Sequence, residues 1–213
     1  MSAMPPYPRR LSVYGLSLLL AGLSLSLRAE PDLSTVQTFL QQTRFHQAEQ
    51  ALEIAFAQEK KNELYYTIKG MVASKRANFA DAENNFKKAL LVAPLQGRYL
   101  FNLAELYYLQ GKYDLALEQY LLIRDDSLSR ELLEYKVILC YLLTGKAKEA
   151  RSLVTKVKLD PQTPYFYYVH AAWAFADGRV EEGRYFAETA GKLYLSGNEL
   201  FRPSLVEQGW LEH

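Results

Sequence analysis

The apolar residues between Gly97 and Arg124 recur every three or four positions on both sides of a break at Gly111. This spacing places them on one face of a helix, so the stretch predicts two amphipathic helices folded back on each other. A small residue follows the break in each copy of this pattern, and it appears as Ala48, Ala82, Ala116, Ala150 and Gly183. Successive copies are 34, 34, 34 and 33 residues apart. The sequence therefore predicts an array of stacked helical hairpins.

Small and large residues also keep fixed places within each copy. In residues 63–96, Gly70 and Ala82 are small where two helices must approach closely. Pro94 ends the second helix, because proline cannot donate the required backbone hydrogen bond. Residues 97–130 carry almost the full set, and only the closing proline is missing, with Leu128 in its place; the matching residues are Leu103, Ala104, Tyr107, Gly111, Tyr113, Ala116 and Tyr120. This combination resembles the tetratricopeptide repeat, a helix-turn-helix unit of 34 residues with a glycine in the turn and an aromatic residue just after it.

The resemblance covers residues 30–196, and it implies an all-α, right-handed α-solenoid of about five hairpins. The expected units are 30–62, 63–96, 97–130, 131–163 and 164–196. Residues 197–213 begin with a turn signal, after which Pro203 is expected to open a short final helix. We expect its apolar side chains to cover the exposed end of the stack.

Residues 1–29 differ from the rest of the chain. Arg9 and Arg10 precede seventeen uncharged residues, and a small residue, Ala29, comes before the polar segment that follows. This order is typical of a signal peptide for export, cleaved after Ala29. An uncleaved membrane anchor is the alternative, because seventeen residues are at the short end of what spans a bilayer. Either case predicts an exported protein, periplasmic or associated with the envelope.

Composition and charge exclude several classes of function. The formal net charge of +1 gives no electrostatic footprint for nucleic acid. The single cysteine, Cys140, lies in an apolar run and is expected to be a small buried side chain. The three histidines, His46, His170 and His213, stand apart from one another, and no nucleotide or hydrolase motif is present. We therefore predict no catalytic residues, no metal and no cofactor.

The first helix of each repeat lines a concave groove in proteins with tetratricopeptide repeats, and that groove receives an extended peptide or a helix of a partner. By helical phase, the groove here is predicted to be lined by Arg98, Phe101, Asn102, Tyr108, Tyr135, Lys136, Tyr165, Tyr168 and Phe175. Tyrosine offers a large contact area with a polar tip, which suits recognition. The alternative is that these rings pack between adjacent hairpins.

A subclass of the family clamps a carboxylate at the C-terminus of its partner. Asn102 and Lys136 occupy two of the clamp positions, but Thr67, Met71 and Leu132 occupy the others and cannot supply the remaining cation and amide. A carboxylate clamp is therefore not expected. The predicted function is a protein-protein interaction scaffold of the bacterial cell envelope, with no nucleic-acid partner. The alternative is a structural or assembly subunit that acts through the ends of the stack or by self-association.

Overall fold

The computed structural model describes residues 33–57, 60–124, 128–156 and 160–212, so the predicted export segment lies outside the described residues. The described ranges hold eleven helices and no strand. The helices are α1 Ser34–Gln41, α2 Phe45–Ala55, α3 Glu63–Lys75, α4 Phe79–Val92, α5 Gly97–Leu109, α6 Tyr113–Leu122, α7 Arg130–Leu143, α8 Ala147–Lys156, α9 Pro164–Ala176, α10 Val180–Leu193 and α11 Asn198–Glu207. Five consecutive hairpins and one final helix form a right-handed α-solenoid, which confirms the predicted fold class.

The turn inside each hairpin has the same backbone geometry in all five copies. One residue of the turn has a positive φ, and it is Thr43, Ala77, Gly111, Gly145 or Gly178 in chain order. The next amide donates to a carbonyl five residues earlier, as Lys112 does to Tyr107 at 2.9 Å. This pattern is the Schellman motif, which ends a helix by satisfying its last carbonyls. Three turns use glycine because it adopts a positive φ without strain.

The two helices of a hairpin approach closely where the repeat carries small residues. Ala48, Ala82, Ala116 and Ala150 are each completely buried. Gly70 of α3 lies against α4, and a Cβ atom at this position would lie 2.6 Å from Cε1 of Phe86. These contacts confirm the prediction that small residues lie where the two helices of a hairpin approach closely.

The apolar side chains form two clusters along the stack. The smaller cluster joins α1, α2 and α3 and includes Val36, Leu52 and Ile68. The larger cluster runs from Met71 at the end of α3 to Leu205 in α11. Each hairpin packs mainly on its neighbours, as expected for a solenoid.

The final helix α11 packs against α9, α10 and α7. Its predicted start at Pro203 is wrong, because the helix begins at Asn198 and Pro203 lies inside it. Gly197 precedes the helix with a φ of 92°, a conformation that glycine tolerates. This turn directs α11 back over the stack instead of extending the row of hairpins.

None of the helices that the structure describes combines the length and the apolar character needed to cross a membrane.

Candidate functional site

The inner face of the solenoid is formed by the first helices of the hairpins, including α5, α7 and α9. Of the nine residues predicted to line the groove, Arg98 is half-buried and the other eight are buried. The side chains of Tyr135 and Tyr168 have no exposed surface at all. Their role in binding a partner stays a prediction, but the structure identifies the segment that covers part of this face.

That segment is α11, which lies across the inner face with Phe201 at its centre. The Phe201 ring contacts three of the predicted groove tyrosines, at centroid distances of 5.3 Å to Tyr135, 6.0 Å to Tyr165 and 5.7 Å to Tyr168. The ring is 1% exposed. Buried aromatic contacts of this kind supply both apolar burial and preferred ring geometry. The tyrosines are therefore enclosed by a helix of the same chain as well as by neighbouring hairpins.

Contacts at both ends fix the direction of α11. At its start, the hydroxyl of Tyr168 donates to Oδ1 of Asn198 at 3.1 Å. Beyond its end, the Trp210 ring stacks on Phe175 at 5.5 Å. The hydroxyl of Tyr113, at the start of α6, lies 2.8 Å from Oε1 of Gln208. The helix thus begins beside α9 and reaches the central hairpin at its end.

A buried ion pair lies on the inner face beside the end of α11. The Lys136 ammonium is 2.7 and 2.8 Å from the two carboxylate oxygens of Glu105, and both side chains are at most 5% exposed. The hydroxyl of Tyr120 donates to the same carboxylate. The ammonium also lies over the Tyr108 ring, 4.7 Å from its centroid. Lys136 was predicted to face a partner, but in this structure its charge is satisfied within the chain.

Glu207 brings a second carboxylate into the same region. Both of its oxygens are sealed from solvent and have no hydrogen-bond partner among the described residues. Burial raises the pKa of Glu207 from 4.5 to about 7. The positive charge of Lys136 lowers this pKa in part, and the negative charge of Glu105 raises it further. Lys75 also attracts this carboxylate, because it lies close enough to interact with it. A buried carboxyl group of this kind is held in its neutral form at a pH where exposed carboxyl groups are ionised.

Further polar atoms on the inner face are buried without a partner among the described residues. They are both amide atoms of Asn102 and the hydroxyls of Tyr108 and Tyr135. Asn102 is 1% exposed. Each buried polar group left unpaired costs about 1–3 kcal/mol. The inner face therefore combines well-packed rings with hydrogen-bonding capacity that α11 does not use.

The residues of α11 that lie on this face, above all Phe201 and Glu207, are not among those predicted from the sequence. The apolar positions of the final segment were recognised, but they were assigned to the end of the stack. Helical phase indicates which face of a segment is apolar and does not indicate which surface that face will meet. The acidic residue between Leu205 and Trp210 was a signal of an unusual environment.

Two residues considered for chemistry have environments typical of packing. Cys140 is completely buried, as expected, and burial raises the pKa of its thiol to about 12. His170 lies between aromatic rings, 4.4 Å from the centroid of Phe166 and 5.1 Å from that of Phe186. Burial lowers the pKa of this imidazole. Among the described residues, neither has the partners of an activated nucleophile or base.

A second concave region lies between α2, α3 and α4, where an open cleft of about 370 Å³ is lined by charged side chains. Most of its cations are paired within the chain. Lys69 lies 2.8 Å from Glu53, and Arg76 lies 2.9 Å from Glu49. Such exposed pairs indicate a solvated surface and not a site that selects an anion.

Residues 67–127 match the family model of the tetratricopeptide repeat. No curated protein sequence matches the chain significantly. Among solved structures, PilF of Pseudomonas aeruginosa is 18% identical, with a TM-score of 0.61, and the match covers 82% of this chain and 78% of PilF. PilW, described as a widely conserved type IV pilus biogenesis factor, is 14% identical with a TM-score of 0.63, over 87% of this chain and 89% of PilW.

A third similar structure is the C-terminal part of a protein from Cytophaga hutchinsonii that contains tetratricopeptide repeats. It is 15% identical with a TM-score of 0.56, over 81% of this chain and 70% of that one. At these identities the comparisons establish the fold alone. They confirm that the chain is a solenoid of the kind built from tetratricopeptide repeats.

Proposed function

We propose that this chain is a non-catalytic scaffold of the bacterial cell envelope, and that it binds a helix or an extended segment of a partner protein in its concave groove. The groove is the inner face of α5, α7 and α9. The observation that carries the proposal is that this face holds a helix, α11, through its tyrosine rings. A surface that packs one helix through large rings has the shape and chemistry to pack another.

The proposed location in the envelope is supported by two features. Residues 1–29 have the order of an export signal. The fold is similar to that of PilW, which is described as a type IV pilus biogenesis factor. By analogy of fold, this chain would hold a partner in an assembly of the envelope without acting on it chemically.

Site-specific crosslinking in cells tests the proposal. A photoreactive amino acid would replace Arg98, which lies in the predicted groove and is half-buried. The matched control replaces Glu118, an exposed residue on the second helix of the same hairpin. We expect one defined protein to be crosslinked at Arg98 and not at Glu118. The absence of any adduct at Arg98, or the same adducts at both positions, would contradict groove binding.

A second function, as an assembly subunit, is favoured by a different observation. Large apolar side chains are exposed where the second helices end, and they are Ile54, Leu91, Val92, Leu95, Leu193 and Leu195. If these side chains form a contiguous patch, they provide a surface that another protein can cover. Size-exclusion chromatography with light scattering distinguishes the functions, because a monodisperse monomer at high concentration counts against self-association.

A further inference from the structure

We propose that α11 is a built-in occupant of the partner groove, and that the partner segment which replaces it is an amphipathic helix with an aromatic residue in the position of Phe201. This inference rests on the proposed function, because it names the kind of partner that the groove accepts. The groove thus has two alternative occupants, one from the same chain and one from the partner.

The two occupants of the groove need the same side chains. Phe201 packs on Tyr135, Tyr165 and Tyr168, and Trp210 stacks on Phe175. All four of these contacted residues belong to the groove predicted from the sequence. A partner that uses these rings must therefore displace α11, and α11 lowers the apparent affinity for that partner.

The helix α11 lacks some of the features that stabilise a helix. Pro203 lies inside it and has no N–H, so the carbonyl of Glu199 loses its helical donor. Gly197, at the N-cap position, has no side chain that could accept from the amides of the first turn, although its own amide donates to Oε2 of Glu199 at 2.8 Å. Segments with these properties open at lower cost than the core of a protein.

When α11 is docked, several buried polar atoms have no partner among the described residues. The Glu207 carboxylate, the Asn102 amide and the hydroxyls of Tyr108 and Tyr135 are all buried without a hydrogen-bond partner among the described residues. A helix with a neutral hydrogen-bonding side chain in place of Glu207 would avoid burying this carboxylate and would offer the groove a donor. The favoured partner thus has an aromatic residue and, six positions later, a neutral polar residue.

A peptide added in trans tests the exchange. The probe is a fluorescent peptide with the sequence of residues 196–212, and the proteins are the full chain and its Phe201→Ala variant. In the variant the helix of the chain itself competes poorly, so we expect the peptide to bind at least about tenfold more tightly than to the unchanged chain. A peptide carrying Phe201→Ala is the matched control and should bind neither. At pH 8, a peptide carrying Glu207→Gln should bind more tightly than the parent peptide.

Failure of the peptide to bind a Phe201→Ala variant that keeps its helical circular dichroism would overturn the inference. Hydrogen exchange on the unchanged chain provides a second measurement if the variant does not fold. We expect amides of α11 such as Leu205 to exchange at least about tenfold faster than amides of α9 such as Ala172. Equal exchange rates would show that α11 opens only with the whole stack and would also overturn it. Neither measurement uses the partner, so a failure of the crosslinking test at Arg98 is a separate result.

Discussion

The replacement Glu207→Gln should stabilise the protein at pH 8 and have little effect at pH 5. Burial raises the pKa of the Glu207 carboxyl from 4.5 to about 7, so its neutral form is favoured in the folded chain. Below pH 4.5 the carboxyl is mainly neutral in both the folded and the unfolded state, so its titration does not change the free energy of unfolding. As the pH rises from 4.5 to 7, ionisation of this carboxyl lowers the free energy of the unfolded state but not that of the folded state, so the free energy of unfolding falls. Above about pH 8 the loss is constant.

The size of this loss follows from the two pKa values. Each tenfold difference in a proton-binding constant corresponds to 1.36 kcal/mol, so the rise from 4.5 to about 7 corresponds to on the order of 3 kcal/mol. The charged groups that face Glu207 are Lys75 on α3, Glu105 on α5 and Lys136 on α7, and the last two are already paired with each other. The glutamine keeps the shape of the side chain and removes its titration.

Urea unfolding of both proteins, followed by circular dichroism at pH 5, 6, 7 and 8, measures this effect. The informative quantity is the difference in free energy of unfolding between the variant and the unchanged chain, because titrations shared by the two proteins cancel. We expect the difference to grow over this range in favour of the variant. A difference that stays constant from pH 5 to pH 8 would refute the idea that a buried, neutral carboxyl joins α11 to the inner face.

Two further pairs of substitutions test the packing. Gly191→Ala should stabilise the protein by about 0.5–1 kcal/mol, because no described atom lies within 4 Å of the added methyl, whereas Gly70→Ala should destabilise it by about 1–3 kcal/mol, because the methyl would overlap Phe86. In urea titrations, the changes in free energy of unfolding should have opposite signs for the two variants. Changes of the same sign would contradict the close approach of α3 and α4 at Gly70. Tyr135→Phe should leave the free energy of unfolding unchanged or raise it, because the Tyr135 hydroxyl has no partner among the described residues. Tyr120→Phe should lower the free energy of unfolding by about 1–3 kcal/mol, because the Glu105 carboxylate loses a buried donor. Thermal unfolding at one pH compares these two, and equal losses would contradict the assignment of the hydroxyls.

The helices and their pairing could be predicted because the information for them is local. The recurrence from Ala48 to Gly183 fixes the register of each hairpin, and the turn residues confirm it with positive φ values at the matching places. Even the two turns without glycine, at Thr43 and Ala77, keep this geometry. Residues close in sequence determine the helices and turns of a hairpin, so the pattern that predicts them lies within one repeat.

The state of the groove could not be predicted, because it depends on contacts between distant parts of the chain. Phe201 meets Tyr135 across 66 residues of sequence. The tyrosines have the same helical phase whether they face solvent, a neighbouring hairpin or α11. The pairing of Lys136 with Glu105 is hidden for the same reason, since the two residues belong to different repeats. Both residues are compatible with an exposed surface when the sequence is read alone.

The path of α11 also has a mechanical consequence. Repeats in a solenoid contact mainly their immediate neighbours, so an array without other links can unfold one unit at a time from either end. By contacting both α7 and α9 and reaching the start of α6 through Gln208, α11 ties together three successive hairpins. While it is docked, α11 therefore restrains these hairpins from opening one at a time, and this restraint is lost when α11 opens. A partner helix that replaced α11 would make the same contacts with all three hairpins, so its binding would also stiffen the array.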